Sequence, residues 1–301
     1  MKIVSAGIHG LTKEQKNRLQ KLGVFVCYED IPVSKEEKLS NLKNADVVLG
    51  ETDFVMDVIY DLKNKLISFP FVGVGFLDLD RLAKNNVKIA NAPGCNKDAV
   101  SEWIVAMLLL LSRKLLKYSN TSEIKKSDFM ENISGLSGKN LTILGKGNVG
   151  SRVGAICNEL NMKVEYFDKG DDLTEKIKDA DFVVNALAYN KETEKLLDKE
   201  FFKSLKEGAY FVSITDTEIF DEKAFLDAIK SGIIAGAAID PAGASIFDTS
   251  SKLYKGLLSN EKVIVTPHIA FHSDMTLKMA NQIMIDNCEA WIKKAPQNLV
   301  N

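Results

Sequence analysis

Arginine is scarce in this sequence. Cys-x-x-Cys pairs, long apolar runs and a large excess of either charge are missing. Only Arg18, Arg81, Arg113 and Arg152 are arginines, so no arginine follows position 152. Basic residues number 39 and acidic residues 41, a formal charge of −2. That balance gives no electrostatic case for a protein built to coat nucleic acid or an anionic membrane. The longest apolar run, Trp103 to Leu111, is followed by Ser112-Arg113-Lys114. A membrane-spanning helix needs about 20 apolar residues, so this run reads as a buried helix. The first residues, Met1 to Gly7, read as a strand and turn without the apolar core of a signal peptide, and a cytoplasmic protein is expected. Cys27, Cys95, Cys157 and Cys288 lie far apart, which argues against disulfide staples or a zinc cluster. Cys27 and Cys157 read as core thiols. Cys95, in the loop Pro93-Gly94-Cys95-Asn96, is a candidate reactive thiol.

What is present is ordinary globular material. The composition is 46% hydrophobic and 27% charged, which excludes disorder as the main state. At roughly 150 residues per domain, 301 residues suggest two. Short apolar runs alternate with helical patterns. Lys2–Ser5, Val24–Cys27, Ala45–Gly50, Leu66–Phe69 and Val87–Asn91 read as strands. Thr12-x-x-Gln15 and Ser34-x-x-Glu37 are helix-start signals. Asp98–Lys117 reads as one long, mostly apolar helix, and Tyr118–Gly138 as a polar boundary or arm. Strands then fit Leu141–Leu144, Lys163–Phe167, Asp181–Leu187, Ala209–Ile214, Ile234–Ile239 and Val263–Thr266. Helices fit Val149–Leu160, Asp221–Lys230 and Met275–Lys293. Such alternation implies α/β architecture, a parallel sheet covered on both faces.

The sharpest motif is Gly145-Lys146-Gly147-Asn148-Val149-Gly150. It follows an apolar strand, opens a helical pattern and leads to a second strand ending at Asp168, 18 residues after Gly150. A dinucleotide-binding βαβ unit has this form and about this spacing. Gly145 permits the turn, Gly147 lets a pyrophosphate approach the backbone, and Gly150 allows close helix–strand packing. The helix N-terminus offers free N–H groups to phosphate. Asp168 would accept hydrogen bonds from a ribose diol and repel a 2′-phosphate, favouring NAD over NADP. Lys169 beside it weakens that preference.

Several further segments resemble the D-isomer-specific 2-hydroxyacid dehydrogenases, over about residues 66 to 272. They are Val72-Gly73-Val74 with Leu77-Asp78, Asn91-x-Pro93-x-x-Asn96 leading to Val100-Ser101-Glu102, and Arg113. To these add Leu136-Ser137-Gly138-Lys139, Ala180-Asp181, Lys206-x-Gly208-Ala209, Ile234 to Asp240, and Thr266-Pro267-His268-Ile269-Ala270. The resemblance implies two doubly wound parallel-sheet domains with the active site in the cleft between them. A flavodoxin-like substrate domain would span 1–92 and 273–301, and a Rossmann-type NAD domain 93–272. It implies cofactor contacts at Gly145, Gly147, Asn148, Val149, Gly150, Asp168, Leu187, Ile214, Thr215, Asp240 and Ala270. Backbone around Val72, Gly73 and Val74 would receive a substrate carboxylate. His268 would be the acid/base, exchanging a proton with the substrate oxygen as hydride moves to or from the nicotinamide. It also implies a small-molecule substrate and a homodimer through the NAD domain, using the 98–138 helix and arm. His272, four residues after His268, has metal-pair spacing alone, with no acidic motif, and no metal site is expected.

Two catalytic positions depart from the family pattern. The arginine position is Asp216, with Thr217 in place of glycine, and no register slip can rescue it. The nearest cations in sequence are Lys206 and Lys223. The glutamate position is Ser245, with Asp248 the nearest acid. An arginine there clamps a substrate carboxylate, and an aspartate repels it. A serine in place of the glutamate removes the group that orients the histidine and stabilises its protonated form. Ala188 replaces a usual proline, and Gly75 a usual polar residue. Three readings follow. One is an oxidoreductase with a shifted substrate, neutral or amine-bearing. Another is an NAD(H)-binding protein that has lost turnover and serves as a sensor or assembly partner. The third is an ordinary 2-hydroxyacid dehydrogenase with a lysine clamp.

Overall fold

A computed structural model describes residues 1–6, 10–28, 30–119, 133–241, 255–257, 260 and 262–301. The chain divides into two compact units, Met1–Asn96 with His272–Asn301, and Lys97–Phe271.

The first unit contains β1 (Lys2–Ala6), α1 (Lys13–Leu22), β2 (Val24–Tyr28), α2 (Lys35–Leu42), β3 (Val47–Gly50), α3 (Thr52–Val55), β4 (Lys65–Ser68), α4 (Leu79–Lys84) and β5 (Val87–Ala90). All pairings are parallel, in the order β2-β1-β3-β4-β5. This is the flavodoxin-like order. Successive strand residues point to opposite faces. Ile3, Val47, Leu49 and Leu66 therefore pack under Met284, Ile285 and Cys288 of the last helix, Asp274–Ile292. Val4, Val48, Ile67 and Ile89 pack with Phe54 and Phe69 on the other side. Lys65, 2% exposed, spends its ammonium on the carbonyls of Leu42, Lys43 and Ala45 at 2.8–3.0 Å, satisfying the end of α2. The chain's end covers the β5 edge, since Val300 N donates to the Ile89 carbonyl and Asn301 Oδ1 accepts from Ile89 N.

The second unit contains α5 (Lys97–Ser112), α6 (Leu115–Ser119), β6 (Asn140–Leu144), α7 (Asn148–Glu159), β7 (Lys163–Phe167), α8 (Leu173–Ile177), β8 (Phe182–Asn185), α9 (Lys199–Ser204), β9 (Ala209–Ser213), α10 (Glu222–Ser231), β10 (Ile234–Ile239) and β11 (Val263–Val265). Its parallel sheet runs β11-β10-β9-β8-β6-β7. Fourteen residues separate β7 from β8 and already include α8. That is too short for a crossover, another strand and a crossover back. The sheet therefore turns to the other side of β6 at once, without the third strand a full Rossmann half would add beyond β7. One face buries Phe201, Phe202, Phe211 and Phe225. The other buries Ile104 and Leu108 of α5 and Val153 and Cys157 of α7.

The expected helix Asp98–Lys117 is instead two helices. Lys114 takes a left-handed φ of 50° and its N–H bonds the Leu111 carbonyl, which ends α5 before α6 begins. The short helices α3, α4, α8 and α9 carry too little periodicity to be read from the sequence. Asp78, Asp172 and Asp198 nevertheless cap the last three.

Candidate functional site

In the second unit, every sequence-derived site residue that falls within the described stretches follows a strand's carboxyl end. Gly145–Gly150 follow β6, Asp168 follows β7, Leu187 follows β8, Ile214 to Asp216 follow β9, Asp240 follows β10, and His268 and Ala270 follow β11. Ligands of open α/β sheets bind at these ends, where strand order reverses. Here it reverses at β6. Val72, Gly73 and Val74 belong to the first unit and follow β4. Ser245 and Asp248 lie outside the described residues.

The glycine loop differs in use from glycine to glycine. Gly145 has φ +95°, and a Cβ there would lie 3.0 Å from the Ala186 carbonyl oxygen. At Gly150 a Cβ would fall 2.0 Å from the Gly145 carbonyl oxygen, so the loop closes on this glycine rather than merely on the strand. Around Gly147 a Cβ would meet nothing within 4 Å. Gly147 is the N-cap of α7 and no side chain caps that helix. Open space thus faces the free amides and positive end of a helix, which suits a pyrophosphate. Gly154, not singled out from sequence, brings α7 against β7, with the Tyr166 hydroxyl where its Cβ would be. Its position four residues after Gly150 on the same helix face was the available signal.

Asp168 is exposed, with Oδ1 accepting from Lys169 N at 2.8 Å. The Lys169 ammonium reaches both oxygens of Glu192 at 2.9–3.0 Å. The residues present fit NAD on three counts: the open Gly147 face, the uncapped helix and the acid ending β7.

Asn185 was not read from the sequence, yet it organises three of the proposed cofactor positions. It is fully buried. Its Nδ2 donates to Ser213 Oγ at 3.1 Å and Thr215 Oγ1 at 2.8 Å, its Oδ1 accepts from Leu187 N at 3.3 Å, and its carbonyl accepts from Ile214 N. A polar residue ending an otherwise apolar strand was the available signal.

Asp240 is 2% exposed and its carboxylate accepts from Thr266 Oγ1 at 2.5 Å, Ile269 N at 2.9 Å and Ala270 N at 2.8 Å. It therefore fixes the turn that carries His268. Three of about four lone-pair positions are used, leaving one. His268 sits at φ +53°, exposed, its ring 5.1 Å from that of Phe271. A non-glycine residue held there costs energy that the Asp240 clamp offsets.

Asp216 is half-buried and opens the 3-10 turn Thr217–Ile219. Burial pushes its carboxyl up, and the nearby Glu218 charge adds to this. His268 pulls it down, and no lysine or arginine acts on it among the described residues. Lys206 bonds Asp181 Oδ1 at 2.8 Å, while Asp181 Oδ2 accepts from Asn140 N. Both partners precede their strands, so Lys206 stands at the amino edge, opposite His268. Lys223 pairs with Asp227 along α10. Neither lysine is a clamp at this site. Cys95 is 6% exposed and burial raises its thiol to about 11, which marks it as packing rather than reactive. Among the described residues, no three His, Cys, Asp or Glu side chains are grouped to hold a metal, and no helix is long and apolar enough to cross a membrane.

The family model described as D-isomer specific 2-hydroxyacid dehydrogenase, NAD binding domain, matches residues 105–270. A putative 2-hydroxyacid dehydrogenase of Haemophilus influenzae is 26% identical over 284 residues, 88% of this chain and 90% of that protein. Among solved structures, an acyclic imino acid reductase in complex with NADPH and D-Arg superposes with TM-score 0.81 at 22% identity, covering 100% of both chains. The NAD-complexed D-isomer specific 2-hydroxyacid dehydrogenase of Lactobacillus delbrueckii ssp. bulgaricus gives 0.79 at 20%, again covering 100% of both. At these identities the structural likeness speaks to the fold.

Proposed function

This chain belongs to the D-isomer-specific 2-hydroxyacid dehydrogenase family, and from that premise we propose an NAD-dependent oxidoreductase whose substrate presents a neutral or amine-bearing group, not a carboxylate, to Asp216. The observation that carries this reading is the environment of Asp216: half-buried, beside Glu218 and His268, with no lysine or arginine acting on it among the described residues. A substrate carboxylate there would meet like charge, which costs several kcal/mol. An ammonium would supply the missing counter-charge.

When bound, NAD supplies the hydride acceptor or donor. His268 takes the proton of the substrate hydroxyl in oxidation and returns it in reduction. Gly73 and Val74 offer their amides to an acceptor oxygen of the substrate. The free cap at Gly147–Val149 holds the pyrophosphate, with Gly145 and Gly150 shaping the loop. Asp168 holds the ribose. Leu187, Ile214, Thr215 and Ala270 line the cofactor, and Asp240 uses its remaining lone pair on the carboxamide. In the sequence, Ser245 takes the position of the family's orienting glutamate.

A homodimer through the second unit is part of this reading, supported by the exposed apolar side chains Leu109, Leu115 and Leu116 on α5 and α6. Sedimentation as a monomer at micromolar concentration would exclude it. Cytoplasmic residence fits four unpaired cysteines.

The test is NADH oxidation with excess enzyme over a panel of 2-oxo acids and neutral and amine-bearing carbonyl compounds. Turnover is expected for the neutral or amine-bearing class, falling about 10²–10⁴-fold in His268→Ala. Preference for simple 2-oxo acids would overturn the substrate reading. Tight NADH binding without any turnover would favour a binding protein that has lost catalysis.

A further inference from the structure

A relay of asparagine amides, buried at Asn287 and half-buried at Asn91 and Asn298, leads from the last helix to the Val72–Val74 loop. Asn287, 1% exposed, donates from Nδ2 to Ser68 Oγ at 3.2 Å and to the Asn91 carbonyl at 2.8 Å. Its Oδ1 accepts from Asn298 Nδ2 at 2.8 Å. The Asn298 carbonyl accepts from Asn91 N at 3.2 Å. Asn91 is thus held at both its N–H and its C=O. Its side chain passes that hold to the loop, Nδ2 donating to the Val72 carbonyl at 2.7 Å, while Ala92 N donates to the Phe71 carbonyl at 2.9 Å.

Two consecutive loop carbonyls are therefore tied down. The next two amides, of Gly73 and Val74, donate to no described residue. Gly73 is exposed, and a Cβ on it would meet nothing within 4 Å. The Val72 and Val74 side chains pack against the unit's hydrophobic clusters, and the hydrogen bond from Asn91 sets the direction of the Val72 carbonyl between them. Each of these asparagines makes two or more hydrogen bonds, and a network so connected is stiff. A stiff pair of N–H groups binds an acceptor oxygen without first paying the entropy of ordering the loop.

We propose that Asn91, Asn287 and Asn298 are positioning residues that hold the Val72 carbonyl so that the Gly73 and Val74 amides are presented, pre-ordered, to an acceptor oxygen of the substrate. This rests on the reading of that loop as the substrate receiver.

The test compares Asn91→Ala, Asn91→Asp and Asn287→Ala with Ser68→Ala, measuring KM and kcat for the compound wild type turns over best and the Kd of NADH. Asn91→Asp keeps the size and backbone bonds and replaces the donor facing Val72 with an acceptor. The expected result is a KM raised about tenfold or more in the three asparagine variants, with kcat changed less and NADH Kd within about twofold. Ser68→Ala, whose bond does not lead to the loop, stays near wild type. Unchanged KM in both Asn91 variants of an active enzyme overturns the proposal. So does equal loss of NADH binding, which would mean general damage. A wild type that turns over no member of the panel overturns the substrate-loop reading itself, and the proposal with it.

Discussion

The two units have the same strand order, 2-1-3-4-5, with one strand added in the second, yet the helices that follow their first strands begin in opposite ways. In the first unit α1 is closed by a capping box. Thr12 Oγ1 accepts from Gln15 N, and Gln15 Oε1 accepts from Thr12 N. In the second, α7 begins at Gly147 with no side-chain cap and open space before it. The topology offers a helix N-terminus to a ligand in both. The choice of cap decides which one is already spoken for. A doubly wound sheet is thus permission to bind a dinucleotide, and the cap chemistry turns that permission into a site.

The comparison can be broken by closing the open cap. Gly147 has an extended backbone that accepts a side chain. Gly147→Asp should cap α7 with its own carboxylate and weaken NADH binding about 100-fold or more, because like charge meets the pyrophosphate. Stability should change by only a few tenths of a kcal/mol. Fluorescence titration and a thermal melt read both. Gly150→Ala attacks the loop instead. Its Cβ would sit 2.0 Å from the Gly145 carbonyl oxygen, so overpacking of about 1–3 kcal/mol is expected, with a lower Tm and lost NADH binding together. A variant that melts like wild type would contradict the close approach.

Asp216→Asn sharpens the contrast within the second unit. A carboxyl raised by burial and by Glu218 binds its proton more tightly folded than unfolded, so stability falls as pH rises through its titration. Removing the charge should therefore raise Tm by about 1–3 °C at pH 7. The gain should vanish below about pH 4, where both states are protonated. A lower Tm at pH 7 would contradict this. The smallest effect is expected in the other unit. Thr12→Ala removes the closed cap and should cost about 1 kcal/mol. NADH affinity should not change, and a change would mean that α1 belongs to the site.

Much of this was legible beforehand because it was written locally. Both helix-start signals at Thr12 and Ser34, the β6–α7–β7 unit and the acid at Asp168 depend on residues a few positions apart. The change at Asp216 was legible too, since no arginine exists downstream to replace it. What escaped depended on three dimensions. Lys206 is near Asp216 in sequence but lies at the opposite edge of the sheet, which only the strand order reveals. Asn185 and Asp240 act through partners two to thirty residues away, and Asp240 serves the His268 turn as well as any cofactor. The break at Lys114 escaped because helical periodicity continues through Leu115 and Leu116 while one backbone dihedral does not.

The open cap at Gly147 is the centre of the account, and an NADH titration of wild type beside Gly147→Asp, followed by fluorescence at neutral pH, tests it most directly. Saturable binding by wild type that is lost in a variant with an unchanged melt is the predicted result. No binding by wild type, or equal binding by both proteins, would contradict the assignment of the dinucleotide to this helix.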